Sequence, residues 1–273
     1  HYDQAILIHP EYVEAHNNKG SVLMDGFEFN GALECFKRAL LLNSSMSKLH
    51  INLGQTYYEL GQFEEATVSF ENAIQIAPQN AEVYFYLGNS KYNLGHIEEA
   101  IDCFRSAIDL NSNDAKFNMG LGKIYIEQGL WELSVNEFKQ AISVQPEYGD
   151  PYIHLGDLLK EKGFHDEALE TYHKALMTNF EDPINHNWDA SSVHNRIGLL
   201  HTTLGRQVEA LKSFRASIEC NPKNVEAHGN LAAIFVYSGA FEEADAHFDT
   251  AIRIEPKNPT ILSNKFFAAQ YHL

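Results

Sequence analysis

One repeat length governs this chain. Gly20, Gly54, Gly88, Gly122, Gly156, Gly198 and Ala232 stand 34 residues apart, except for one interval of 42. A ring recurs in the same step at Phe36, Phe70, Phe104, Phe138, Tyr172, Phe214 and Phe248. Small residues precede it at Ala32, Ala66, Ala100, Ser134, Ala168, Ala210 and Ala244, and follow it at Ala39, Ala73, Ala107, Ala141, Ala175, Ser217 and Ala251. A fixed period of this length means one supersecondary unit stacked on copies of itself, because a single copy cannot bury its apolar face alone.

The cleanest copy is residues 47 to 80, SKLHINLGQTYYELGQFEEATVSFENAIQIAPQN. Leu49, Leu53, Tyr57 and Leu60 step by 4, 4 and 3, and Ala66, Phe70, Ala73 and Ala77 by 4, 3 and 4, so each half presents one helical apolar face. Gly61 breaks the chain between the halves and Pro78 stops the second. Gly54, Ala66 and Ala73 carry almost no side chain, which lets two antiparallel helix backbones approach while Tyr57 and Phe70 fill the space around them. The predicted fold class is all-α, a solenoid of antiparallel helix pairs.

These residues resemble the tetratricopeptide repeat (TPR) family, with its helix-turn-helix of this length and its small, aromatic, Ala and Pro anchors. The resemblance divides the chain into a half repeat at 1–12, full repeats at 13–46, 47–80, 81–114, 115–148, 149–182, 191–224 and 225–258, and a closing helix or junction at 259–273. It implies that the pairs wind into a right-handed superhelix whose first helices line a concave groove. The chain departs from the pattern where Phe27 replaces the turn Gly, and where Ser44, Ser112 and Phe180 replace the helix-stopping Pro. Eight extra residues, Pro183 to Ala190, account for the long interval. They read first as a tolerated surface loop, since loop closure entropy grows only logarithmically. Trp188 within them is the kind of residue that anchors interfaces, so it is a candidate docking residue.

With 37 acids against 20 bases the formal charge is −17, which repels nucleic-acid phosphates and anionic lipid and favours a basic or neutral partner. No apolar run approaches the ~20 residues of a membrane helix. Three scattered cysteines, Cys35, Cys103 and Cys220, argue for a reducing compartment, here the cytoplasm. The chain lacks an initiator Met and opens in mid-pattern, so its first residue is read as a boundary within a longer protein.

Catalytic constellations are not evident. Asp189, Ser191 or Ser192 and His194 crowd triad-type residues into six positions, but a working triad is assembled in space; either serine is better read as an N-cap of the next helix. Gly120, Leu121 and Gly122 fall within a predicted helix and form no phosphate loop. His16, His50, His194 and His228 share the fourth position of their repeats, where packing explains them, and His194 with His201 lacks a visible third metal ligand. We expect no cofactor, no metal and no catalytic activity in this chain.

The first helix of each repeat carries a second, polar stripe opposite its packing face. Its candidate binding residues are Asn18 in the first full repeat, Lys48, Asn52 and Gln55 in the second, and Tyr86 and Asn89 in the third. Lys116 and Lys123 follow in the fourth, His154 and Asp157 in the fifth, Arg196 in the sixth and Asn230 in the seventh. Asn18, Asn52 and Asn230 occupy one position, and an amide there can donate to and accept from a peptide backbone at once. This row is similar to the inner surface of O-GlcNAc transferases, interrupted here by Tyr86, Gly120, His154 and Arg196. The paired Lys and Asn pattern by which co-chaperone repeats bind carboxylate tails is not found.

The last stretch, ILSNKFFAAQYHL, places Leu262, Phe266, Ala269 and Leu273 at helical spacing, predicting that this face covers the final repeat. Phe267 and Tyr271 then form an i,i+4 aromatic pair beside it, a candidate docking edge for a domain that follows. The run resembles the junction to the catalytic domain in bacterial O-GlcNAc transferase-like proteins. The reading is a protein-interaction scaffold that holds a peptide or protein segment in its groove. Its alternatives are the substrate-recognition arm of an O-GlcNAc transferase-like enzyme whose catalytic domain lies outside this chain, and a self-associating scaffold.

Overall fold

Each half of the repeat becomes one helix. The computed structural model describes residues 1–178 and 189–270, and every regular element among them is an α-helix. The chain divides into two compact units, residues 1–145 and 146–273. The first unit contains α1 (Tyr2–Ile8), then four pairs: α2 (Val13–Asp25) with α3 (Phe29–Leu42), α4 (Ser47–Glu59) with α5 (Phe63–Ile76), α6 (Ala81–Asn93) with α7 (Ile97–Leu110), and α8 (Ala115–Glu127) with α9 (Trp131–Val144). The second contains α10 (Gly149–Glu161) with α11 (His165–Ala175), α12 (Ala190–Thr203) with α13 (Gln207–Cys220), α14 (Val225–Ser238) with α15 (Phe241–Ile254), and the closing helix α16 (Pro259–Ala269).

The turn inside each pair repeats one hydrogen-bond pattern. At the end of α4 the Gly61 N–H donates to the Tyr58 carbonyl and the Gln62 N–H to the Tyr57 carbonyl, both at 2.9 Å, which satisfies carbonyls the helix leaves unpaired. That geometry puts the turn residue in the left-handed region: Gly61 has φ 71° and Gly239 has φ 77°. Phe27 holds the same place in the first full repeat with φ 59°, the one described non-glycine residue there, and its ring lies 81% exposed against the edge of Phe29.

The periodic rings form the core. Phe36, Phe70, Phe104 and Phe138 in the first unit, and Tyr172, Phe214 and Phe248 in the second, are no more than 1% exposed. The periodic glycine of each first helix lies against the ring of its own second helix. A Cβ at Gly54 would stand 2.6 Å from Phe70, and one at Gly198 would stand 2.5 Å from Phe214. Phe104 also crowds the next helix, where a Cβ at Gly120 would come within 2.4 Å of it.

The fourth-position histidines do more than pack. Nε2 of His16, His50 and His228 lies 2.9, 3.0 and 3.1 Å from the carbonyls of Pro10, Ser44 and Pro222, six residues earlier in each case. The Tyr152 hydroxyl donates to the Pro146 carbonyl in the same way at 3.0 Å. Each ring thereby satisfies a carbonyl in the turn that precedes its helix.

Two local expectations are corrected. The N-cap of α12 is Asp189, whose carboxylate accepts the Ser192 N–H at 2.8 Å; Ser191 is buried and bonded to Ser217 and Asn224. A carboxylate at that place satisfies an orphan N–H and favours the positive end of the helix.

The face of α16 is the second. Ile261 and Ala268 are its buried residues and Lys265 is half-buried between them, whereas Leu262, Phe266 and Ala269 are exposed. Ile261 takes the place held by Leu49 and Val83, and Ala268 the place held by Thr56 and Ser90, so helical register decides the face. Phe266 stands where the other first helices carry the small residue that faces their own second helix, and among the described residues none follows α16. Its ring is accordingly 70% exposed. Trp188, Tyr271 and Leu273 lie outside the described residues.

Among the described residues no helix is long and apolar enough to cross a membrane. None offers a group of three His, Cys, Asp or Glu side chains placed to hold a metal ion.

Candidate binding surface on the first helices

Neighbouring first helices meet in a fixed register. Within the first unit the Gln55 side chain of α4 lies beside the Tyr86 phenol of α6, a separation of 31 residues. Within the second unit the equivalent pair is Asp157 of α10 and Arg196 of α12, with the guanidinium Nε donating to the carboxylate at 3.1 Å. That pair is 39 residues apart, the same spacing plus the eight of the insertion, so the insertion leaves the register of the stripe unchanged.

In the first unit the stripe is a mixed polar and aromatic surface. Asn18 and Lys48 are exposed, and Asn52, Gln55, Tyr86 and Asn89 are half-buried. The Asn52 amide donates to Asn17 at 2.9 Å, and Asn17 in turn donates to Asn18 at 3.2 Å. The Tyr86 ring stacks on Phe70 with centroids 5.8 Å apart and planes 14° apart. Burial first, then the carboxylate of Glu82, raises the pKa of its phenol, which stays protonated as a donor. Lys116, half-buried, reaches Asp114 at 3.1 Å and Glu82 at 3.7 Å and lies over the rings of Phe85 and Phe117. Those two carboxylates hold its pKa up against the desolvation that lowers it. Lys123 is exposed.

In the second unit the stripe is organised around one carboxylate. Asp157 accepts from the Tyr172 hydroxyl at 2.6 Å as well as from Arg196, and Lys160 stands 3.8 Å away. Tyr172 occupies the ring position that is Phe in the neighbouring repeats. Burial, reinforced by Asp157, drives its pKa far above the ordinary tyrosine value, so it is a fixed donor. His154 is half-buried beside this network, and Asn230 donates to Asn195 at 3.0 Å. Asn52 and Asn230 are therefore in the same state: each spends one amide N–H on an asparagine 35 residues earlier.

Asn17 and Asn195 are the residues that sequence reasoning passed over. Both are buried one position before the stripe and orient its asparagines. Their common separation from Asn52 and Asn230 is the signal that would have found them. The interruption at Gly120 has a packing cause, since Phe104 fills the space that a side chain there would need. Phe267, the candidate docking residue that lies among the described residues, is 54% exposed and lines a cleft with α14 and α15.

Comparison with known proteins agrees with this architecture. The model of the TPR repeat matches residues 54–95, 88–129 and 122–163, and the tetratricopeptide repeat model matches 225–258, together more than half of the chain. The photosystem I assembly protein Ycf3 of Cyanophora paradoxa is 37% identical over 106 residues, which is 34% of this chain and 58% of that protein. Thus the chain spans less than two thirds of that relative's length.

Among solved structures, YrrB, described as a TPR protein with an unusual peptide-binding site, is 25% identical with a TM-score of 0.53. The match covers 72% of this chain and 97% of that one. The C-terminal part of a TPR repeat-containing protein from Cytophaga hutchinsonii, 17% identical, shares the fold with a TM-score of 0.67 over 90% of this chain and 97% of its own. The all-α solenoid architecture of stacked helix pairs is that of these structures, and the chain belongs to the tetratricopeptide repeat family.

Proposed function

We propose that this chain is a non-catalytic scaffold that binds a segment of another protein along the stripe of its first helices. The observation that carries this reading is the shared register of the stripe, in which Gln55 lies beside Tyr86 and Asp157 accepts from Arg196. Within each unit this register holds neighbouring polar side chains in a preorganised row, which lowers the ordering cost of binding an extended chain. The likeness to YrrB, whose description names a peptide-binding site, and to Ycf3, whose name is that of an assembly protein, supports a protein partner. The sparse, unbridged cysteines support a reducing compartment, and we assign the chain to the cytoplasm.

A backbone-gripping role of the kind that the asparagine row suggests is the weaker reading, because Asn52 and Asn230 already donate to neighbouring asparagines. The test is selection of peptides from a displayed random library on the purified chain, followed by calorimetric titration. Asn52→Ala combined with Tyr86→Ala is expected to weaken a selected peptide at least ten-fold without loss of helicity. Unchanged affinity would overturn the assignment to this stripe.

A further inference from the structure

The polar stripe ends in an apolar cleft of about 600 Å³ in the second unit. Its walls are Ala233, Val236 and Tyr237 of α14, Phe241 of α15, and Asn264 and Phe267 of α16. Register explains why the opening occurs here. Ala233 takes the stripe position held by Gln55, Asn89 and Asp157 in other repeats, and its single methyl leaves space that those side chains would fill. Phe267 takes the same position one helix later and forms the far wall. Tyr237 stands 86% exposed at the edge, a large apolar ring presented to solvent. The volume lies within the ~300–1,000 Å³ of sites that enclose a ligand or a few side chains.

Charge identifies the occupant. From Val225 to Ile252 the chain carries Glu226, Glu242, Glu243, Asp245 and Asp249 and no Lys or Arg. Arg253 is the one base of α14 and α15, and the one base of α16, Lys265, is paired with Asp249. We propose that the cleft is an anchor site for one apolar side chain, aromatic or long aliphatic, carried on a basic segment of a partner protein. This rests on the first-helix reading above and extends it to a specificity: the anchor fills the cleft while Lys or Arg on either side face the carboxylates of α14 and α15. A second copy of this chain fits less well, because at a formal charge of −17 it brings like charge to this acidic pair of helices.

The test pans one displayed library of random dodecapeptides in parallel on the wild-type chain, on Tyr237→Ala, and on Asn52→Ala/Tyr86→Ala. Tyr237 is so exposed that its truncation leaves the fold intact, which a thermal melt checks. The expected result is enrichment on the wild type of peptides with Phe, Trp, Leu or Met flanked by at least two Lys or Arg. Their affinity should fall ten-fold or more on Tyr237→Ala, or when the anchor is replaced by Ser. Enrichment of acidic or anchorless peptides, or equal binding to wild type and Tyr237→Ala, overturns the anchor site. If selected peptides lose affinity on Asn52→Ala/Tyr86→Ala alone, the first-helix reading stands and this inference falls. A dimer in sedimentation equilibrium that Tyr237→Ala abolishes would assign the cleft to a second copy and overturn it as well.

Discussion

The hydroxyl of Tyr172 donates to the carboxylate of Asp157 at 2.6 Å, tying a buried core ring to the first-helix stripe. The bond explains why this repeat carries Tyr where its neighbours carry Phe. It also means that Asp157 and Arg196 are positioned from beneath as well as from each other.

Replacing Tyr172 with Phe should therefore destabilise the second unit by about 1 kcal/mol, because Asp157 is partly exposed and water recovers part of the lost bond. Since Arg196 shares that carboxylate, the effect should be non-additive with Arg196→Gln. Chemical denaturation of the two single variants and the double variant measures the coupling.

Gly54→Ala sets two effects against each other. Helix propensity alone favours Ala by about 0.5–1 kcal/mol. Against this, the new methyl would stand 2.6 Å from the Phe70 ring. Overpacking a tight core costs about 1–3 kcal/mol, so the variant should melt lower than the wild type. A raised melting temperature would show that the ring moves aside freely.

The turn residues make the opposite comparison. Phe27 pays left-handed backbone strain of about 1–2 kcal/mol, and it offsets only part of this through its edge contact with Phe29. Phe27→Gly should be neutral to stabilising by about 0.5 kcal/mol, because glycine's extra unfolded-state entropy takes back some of the relief. Gly61→Ala should cost about 1 kcal/mol for the same reason in reverse. Thermal melts of the two variants beside the wild type check both signs.

Mild acid should weaken the second unit. Burial lowers the pKa values of His194, His201 and His247; the charges of His173, Arg206 and His228 respectively add to the shift. A histidine with a depressed folded pKa contributes stability above the unfolded value of about 6.5. That contribution is lost as the pH falls from there toward the folded value, because the unfolded chain takes up the proton first. Stability should therefore decline between about pH 7 and pH 5, before the carboxylates paired with lysine, such as Glu99 and Glu170, begin to protonate. His247 shares a 2.9 Å nitrogen contact with His228 and stacks on Phe235. In His247→Gln the slope of melting temperature against pH should flatten in this window.

The architecture was legible in the sequence because one period places every core ring, every close-packed glycine and every turn. The stripe was legible too, since solvent-facing positions of a first helix follow from the same spacing. What escaped were relations between helices. The bond from Asn52 to Asn17 and the crowding of Gly120 by Phe104 depend on which residues meet across a stack, and no single helix reveals that. The face of α16 was misread because apolar residues were followed in place of register: Lys265, long and amphipathic, is half-buried where a leucine stands in other repeats. The cleft beside Tyr237 arises from one small residue, Ala233, whose consequence appears only when three helices are in place.

The most direct test of the binding surface is site-specific photocrosslinking of a library-selected peptide. A benzophenone side chain placed at Gln55, on the first-helix stripe, should capture the peptide in good yield. The same probe at Asp102, exposed on the second helix α7, should not. Capture at Asp102 with none at Gln55 would place the ligand on the second helices and contradict the account.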